Sequence, residues 1–162
     1  HRNLKLSKVL LDDNLEPKLI NFQFSKVLTD DAELENDLGT INHMAPELFI
    51  GEGYSFPIDV YAFAIILYSL FIPFKIFKSF FTGNMFIVAN KIIQGMRPCR
   101  TQFIPDPYWD LIQQCWDSNP EARPTFEQIT EILKDDKFAL EEFGMKTDLN
   151  QLHEYQRSID IL

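Results

Sequence analysis

The polar side chains nearest the start of the chain include amides and ammonium groups. Asn3, Lys5 and Lys8 lie in the first eight residues, and Asn21 follows further on. An amide is not a usable base near neutral pH, and an ammonium group repels a metal cation instead of binding it. Asn3, Lys8 and Asn21 therefore offer neither a general base nor a carboxylate ligand for a metal.

The two cysteines do not form a metal-binding or redox motif. Cys99 and Cys115 are too far apart for a Cys-x-x-Cys pair, and neither has a histidine at ligand spacing. We interpret both as reduced residues in or near the core, which suits a cytosolic protein. No metal site is expected, and the predicted location is cytoplasmic.

Length and charge limit the class of protein. With 162 residues and 46% hydrophobic content, the chain is long enough for one domain or a large part of one. The net charge of −9, without a Lys/Arg cluster, argues against nucleic acid as a partner and is explained by solubility. The chain has no signal peptide and does not begin with Met, so we expect it to be a fragment of a longer product.

A short β-hairpin is predicted near the start of the chain. The apolar runs at residues 8–11 and 18–20 are typical of two short strands. Asp12, Asp13 and Asn14 supply the turn between them, and Pro17 closes it.

A buried helix is predicted between Ser55 and Pro73. After Asp59 nearly every residue is apolar, so the helix would be apolar on all faces rather than along one stripe. Ser55 is placed to cap it, Pro57 suits its first turn, and Pro73 ends it. Asp59, near the positive end of the helix dipole, is placed to accept backbone N–H groups from a neighbouring loop. A membrane span is the alternative, but it needs about 20 apolar residues and this run is shorter, so we favour a core helix.

Further helices are predicted in the second half of the chain. A Phe-rich run at residues 74–81 precedes the first of them, and we attribute it to core packing, with an exposed patch for a partner as the alternative. Two more amphipathic helices are predicted at residues 107–116 and 124–133. The first helix has apolar residues at helical spacing, namely Phe86, Ala89, Ile92, Ile93 and Met96.

Four segments resemble the eukaryotic protein kinase family. The stretch HRNLKLSKVLLDDNLEPKLINFQFSK (1–26) is similar to a catalytic loop, hairpin and metal-binding loop, and GTINHMAPE (39–47) to the end of an activation segment. DVYAF (59–63) resembles the start of the family's central helix. CWDSNPEARPTF (115–126) resembles the end of the C-terminal lobe in tyrosine-kinase-like serine/threonine kinases. The segments occur in the family's order across residues 1 to about 134.

The resemblance implies a mainly α fold. It is that of a protein kinase C-terminal lobe, in which a helical bundle surrounds a buried central helix and a small β-hairpin lies near the N-terminus. Residues 1–134 would form this lobe, without an N-terminal lobe, and residues 135–162 a tail or linker. The sequence contains no Gly-rich phosphate loop, and we interpret Gly51-Glu52-Gly53 as a turn. We therefore expect no ATP cleft in this chain by itself.

The resemblance also implies that the catalytic groups are replaced. Asn3 stands where the family has the Asp that accepts the substrate proton, while Lys8 and Asn21 stand at the two Mg²⁺-ligand positions. Lys5 matches a phosphate-contacting lysine, although a solvated lysine is the simpler interpretation. Active family members use ATP and Mg²⁺, and no cofactor is expected for this chain.

Other matched residues imply structural roles. His1 and Phe22 match stacked residues of an internal spine, and Asp59 matches a helix residue that holds the catalytic loop. Glu47 and Arg123 match a buried ion pair. Arg2 matches an arginine that pairs with an activation-loop phosphate, which the acidic residues between 30 and 37 could replace; a solvated loop is the simpler alternative. Candidate phosphorylation sites are Ser25, Thr29 and Thr40, with packing as the alternative for Thr40.

Three functions remain open from the sequence. The leading hypothesis is a pseudokinase lobe that binds protein partners through the residue 86–96 region and the activation segment, with no nucleic-acid or membrane partner. The alternative is a serine/threonine kinase with weak activity when a longer product supplies the N-terminal lobe. The third is a truncated product without a function.

Overall fold

The computed structural model describes residues 1–25, 41–53, 55–72, 77 and 80–139. The chain divides into two compact units, His1–Pro124 and Thr125–Leu162. The predicted division at residue 134 stays a prediction. Thr29, Thr40, the acidic run and the tail beyond residue 139 lie outside the described residues. Within the described part, the fold is mainly helical with one small sheet, as expected.

The predicted hairpin is confirmed. Strands β1 (Val9–Leu11) and β2 (Pro17–Leu19) pair antiparallel, with Val9 opposite Leu19. The Asp12 carboxylate accepts hydrogen bonds from the backbone N–H groups of Asn14 and Glu16 and so closes the turn. Pro17 lies in β2 rather than before it, as its first residue, where a missing N–H is tolerated.

A short helix precedes the central one. A 3₁₀ turn at Ile41–His43 leads into α1 (Pro46–Ile50). Pro46 occupies the first turn, where its missing N–H costs nothing. Gly51 ends the helix at φ 78°, a left-handed conformation that glycine adopts without strain. This helix carries Glu47 into the interior, where its side chain is buried.

The predicted buried helix is confirmed as α2 (Pro57–Phe71), whose 15 residues are mostly apolar. Its buried side chains lie all around the helix axis and include Ile58, Tyr61, Ile65 and Tyr68. The predicted Ser55 cap is wrong: Phe56 is the N-cap residue, and Ser55 contributes its backbone carbonyl, which accepts from the Ile58 N–H at 3.3 Å. None of the helices in the described residues is long and apolar enough to cross a bilayer.

Two amphipathic helices complete the first unit. Helix α3 (Met85–Ile93) is capped by the Asn84 side chain, which accepts from the Ile87 N–H, and α4 (Asp106–Cys115) packs against α2. Aromatic contacts join α2 to the α4 region. The Tyr68 and Trp116 ring centroids are 5.7 Å apart, and those of Phe71 and Tyr108 are 4.8 Å apart. Both helices match the periodicity of the sequence.

The second unit begins with α5 (Phe126–Leu133). Thr125 and Gln128 form a capping box, in which each side chain accepts a hydrogen bond from the other residue's backbone N–H. Ile129 is its buried apolar residue. The predicted helix at 124–133 is therefore confirmed, although it begins two residues later because the Thr125 cap sets its start.

Candidate functional site

The loop at the start of the chain is attached to helix α2 by one carboxylate. Asp59, in the first turn of α2, accepts a hydrogen bond from the backbone nitrogen of His1 at 2.7 Å and from the Arg2 N–H at 3.0 Å. The helix dipole favours a negative charge at this end. Arg2 has φ 67°, which is uncommon for a residue with a Cβ, and its bond to Asp59 helps to hold this conformation. These two hydrogen bonds therefore hold the loop backbone immediately before Asn3.

His1 connects this loop to the residues that follow the hairpin. Its Nδ1 accepts from the Asn3 N–H at 3.3 Å, and its Nε2 lies 3.1 Å from the Ile20 carbonyl oxygen. The two contacts are satisfied together when the proton is on Nε2. The ring also packs against Phe22, with centroids 5.0 Å apart at a tilt of 55°. His1 thus places Asn3 and the Asn21 region in one neighbourhood.

Lys8 and Asn21 are neighbours across the end of the hairpin. The Ile20 N–H donates to the Lys8 carbonyl at 3.0 Å, which brings Lys8 beside the residue preceding Asn21. Asn21 has φ 67°, a conformation that asparagine tolerates better than most residues. Its Oδ1 is buried and has no hydrogen-bond partner among the residues that the structure describes. This oxygen is a neutral acceptor available to a donor.

His43 is a member of this site that sequence reasoning did not identify. It lines a small cleft together with Arg2, Asn3 and Asp59. Its Nδ1 is buried and has no hydrogen-bond partner in the described part of the chain. Burial, and secondarily the nearby Lys5 ammonium, lower the pKa of His43 to about 4, so the ring is neutral at physiological pH. No local pattern indicates it, because its position in the cleft depends on the contact between two distant segments.

Glu47 and Arg123 form a buried ion pair away from the loop. The guanidinium makes two bonds to the carboxylate, Nη1 to Oε1 at 2.6 Å and Nη2 to Oε2 at 2.8 Å. Arg123 also donates to the backbone carbonyls of Pro57 and Asp117. These bonds use four of the five guanidinium N–H groups. Such additional hydrogen bonds help a buried pair to offset the cost of desolvation. The pair joins α1, the start of α2 and the segment after α4.

The ring of Tyr61 lies between two guanidinium groups. The Arg97 and Arg123 Cζ atoms are 5.1 and 5.2 Å from its centroid, within cation–π range. Burial raises the pKa of Tyr61 to about 12, so the phenol stays neutral. This cluster is structural, because its charged groups are directed at protein atoms.

The predicted site residues therefore fall into two groups. The predicted residues around the loop and the end of the hairpin lie together. Glu47 and Arg123 form a separate pair. The Ser25 hydroxyl donates to the His1 carbonyl at 3.4 Å, which adds Ser25 to the first group. No cluster of three or more His, Cys, Asp or Glu residues suited to a metal occurs among the residues that the structure describes. The loop-and-hairpin group is, in sequence order, His1, Arg2, Asn3, Lys8, Asn21, Phe22, Ser25 and Asp59.

Replacing Glu47 by Ala should destabilise the protein strongly. It leaves Arg123 buried without its counter-charge, and the expected loss is about 3 to 5 kcal/mol of unfolding free energy. Urea unfolding followed by circular dichroism measures it. Lys18→Ala, which removes the exposed pair with Glu16 at 2.7 Å, is the control and should leave stability close to that of the unchanged protein. Equal effects of the two changes would contradict a structural role for the buried pair.

His43 should make stability depend on pH. Its pKa is about 4 in the folded protein against an ordinary 6.5, so the unfolded chain binds a proton that the folded chain does not. The free energy of unfolding therefore has its full value above pH 6.5. It decreases by on the order of 3 kcal/mol as the pH falls from 6.5 towards 4. His43→Gln should lose less stability over this range in parallel urea titrations. Identical pH profiles, or an NMR titration of the His43 ring near 6.5, would contradict this.

Comparison with known proteins identifies the family to which the sequence belongs. The family model described as protein kinase domain matches residues 1–136. A probable LIM domain-containing serine/threonine-protein kinase of Dictyostelium discoideum is 34% identical over 134 residues, covering 83% of this chain and 20% of that protein. The dual specificity protein kinase shkA of the same organism is 36% identical, covering 83% of this chain and 26% of its own length. A dual serine/threonine and tyrosine protein kinase of Apis mellifera is also 36% identical, covering 83% and 14%. This chain spans about a quarter or less of these relatives, and it belongs to the protein kinase family.

Proposed function

We propose that this chain is a kinase C-terminal lobe that does not transfer phosphate and that binds protein partners in the cytoplasm. The observation that carries the proposal is the chemistry of the loop-and-hairpin group. Asn3, Lys8 and Asn21 supply two amides and an ammonium group where phosphoryl transfer needs carboxylate and metal-ligand oxygens. Losing a general base alone typically costs about 10²- to 10⁴-fold in rate.

The residues at this site do not fit a magnesium ion. Mg²⁺ prefers oxygen ligands, with carboxylates foremost. The buried Oδ1 of Asn21 is a free acceptor, but it is neutral and by itself a poor ligand for a hard cation. The ammonium group of Lys8, whose backbone is bonded to that of Ile20, repels a cation. We therefore derive no reaction step through Mg²⁺ or ATP.

The structural contacts around the site support a binding role. Asp59 holds the loop backbone, and the Glu47–Arg123 pair joins distant segments. Neither interaction requires a base or a metal. A lobe with these contacts has a rigid surface that can be recognised by a partner, whatever its catalytic state.

Helix α3 provides the surface that we assign to a partner. Phe86 is 71% exposed, and Ile87, Ile93 and Met96 are exposed beside it. Such a group of exposed apolar side chains, three on one short helix and Met96 just after it, is typical of an interaction site. One residue predicted for this surface, Ile92, is instead 1% exposed and belongs to the core, because it lies with Val88 on the buried face of the helix. The activation segment remains a second proposed contact, with only residues 41–47 of it described.

A second candidate function is a weak serine/threonine kinase. The names of the relatives favour it, since all three compared above are kinases. It requires an N-terminal lobe from a longer product and unusual ligands for the nucleotide. A truncated product without a function is the third alternative.

The full-length product should show no phosphoryl transfer from radiolabelled Mg-ATP to a protein substrate. Combining Asn3→Asp, Lys8→Asn and Asn21→Asp should raise both nucleotide-induced thermal stabilisation and transfer, since it restores a base and two metal ligands. The Asn21→Asp variant alone is the matched control, because it restores one ligand without the base. Transfer at an ordinary kinase rate, about 1 to 100 s⁻¹, by the unchanged protein would disprove inactivity.

The α3 surface is tested by Phe86→Asp. The change places a carboxylate at the centre of the exposed apolar group, so partner recovery in a quantitative pulldown should fall by about tenfold or more. Leu70→Asp is the matched control, since Leu70 is 63% exposed on α2. Circular dichroism must show that both variants fold. Unchanged partner recovery with Phe86→Asp would exclude this surface. The Ile92→Asp variant is not a suitable test, because it places a charge in the core.

A further inference from the structure

We propose that the partner of the α3 surface is an acidic, amphipathic protein segment. This inference rests on the proposed function and adds the chemistry of the partner. The α3 surface is defined here as Phe86, Ile87, Ile93 and Met96 together with Lys91 at its edge.

The charge of the chain is divided along the sequence. Residues 60–105 contain five Lys or Arg residues and no Asp or Glu, although the whole chain has a net charge of −9. Helix α3 lies in this stretch, and its first turn carries no acidic residue, while its last turn carries Lys91. The acidic residues that keep the protein soluble are therefore absent from the segment that exposes the apolar side chains.

Helical geometry places Lys91 beside the apolar residues. Phe86, Asn90 and Ile93 follow the spacing of one face, and Lys91 lies one turn after Ile87. Val88 and Ile92 form the buried face. The Lys91 ammonium is 5.9 Å from the centroid of the Phe80 ring. Within the described part of the chain, it has no carboxylate partner.

The other cations near α3 have partners of their own. Arg100 forms an ion pair with Asp106. Arg97 donates to the Trp116 and Ile92 carbonyls. Among the cations of residues 80–105, all of which the structure describes, Lys91 is therefore the one placed to meet a partner's carboxylate. Apolar anchors with a cation at the rim are complementary to a segment that carries apolar residues on one side and acidic residues beside them.

Two other occupants fit less well. A second copy joined α3 to α3 would bring the two Lys91 side chains to the same interface, and like charges there disfavour association. An anionic membrane surface attracts helices with several Lys or Arg residues on the polar face, whereas α3 has one. An acidic peptide needs one cation to pair with a carboxylate and an apolar face to bind its apolar side chains. The α3 surface supplies both.

The test is selection of random 16-residue peptides displayed on phage against the full chain, with removal of clones that also bind the Phe86→Asp variant. The enriched peptides are expected to be net acidic and to carry apolar residues at helical spacing. For a synthetic, fluorescently labelled peptide from this set, anisotropy should show binding weakened about tenfold or more by Phe86→Asp and several-fold by Lys91→Glu. Raising the salt concentration should reduce the effect of Lys91→Glu. Lys18→Glu makes the same charge change on the hairpin and should leave affinity unchanged.

The outcomes separate the inference from the proposed function. Enriched peptides that depend on Phe86 but are neutral or basic, or an affinity unaffected by Lys91→Glu, would overturn the acidic partner and leave the α3 surface in place. Failure to enrich any peptide that depends on Phe86 would reject the surface itself. Vesicles of phosphatidylserine and of phosphatidylcholine form a parallel arm. Phe86-dependent sedimentation with the anionic vesicles, without peptide binding, would assign the surface to a membrane and overturn the proposal.

Discussion

The position of the loop at the start of the chain depends on the Asp59 carboxylate. It lies at the N-terminal end of a helix buried on all sides, so its own position is determined by packing around α2. From there it holds the backbone of His1 and Arg2, and His1 in turn contacts the backbone of Ile20 and the ring of Phe22. The loop that carries Asn3 and the backbone next to Asn21 are positioned through these contacts.

The contacts that hold this kinase-family fold together do not involve the side chains at residues 3, 8 and 21. Asp59 bonds to main-chain nitrogen atoms, and the Glu47–Arg123 pair satisfies itself and two backbone carbonyls. Neither depends on which side chain stands at residues 3, 8 or 21. Amides and an ammonium group at those positions therefore leave the fold intact, and the proposed binding role makes use of the part of the lobe that folding requires.

The α3 surface combines two observations of different kinds. The exclusion of acidic residues from residues 60–105 is visible in the sequence. The outward direction of Phe86 and the inward direction of Ile92 come from the packing of α3 in the fold. Together the two observations describe a surface with exposed apolar side chains and a cation at its edge. This combination limits the chemistry of a partner more than either observation does alone.

Local patterns in the sequence determined the hairpin, the buried central helix, and helices α3, α4 and α5, because alternation, periodicity and Pro or Gly positions act over short distances. The sequence also specifies the amides at residues 3 and 21 and the ammonium group at residue 8. Tertiary structure alone decided that Phe56 rather than Ser55 precedes α2, that Ile92 is core, and that His43 shares a cleft with Asn3. Burial and contacts between segments distant in the chain depend on how whole elements pack, and no local pattern encodes that.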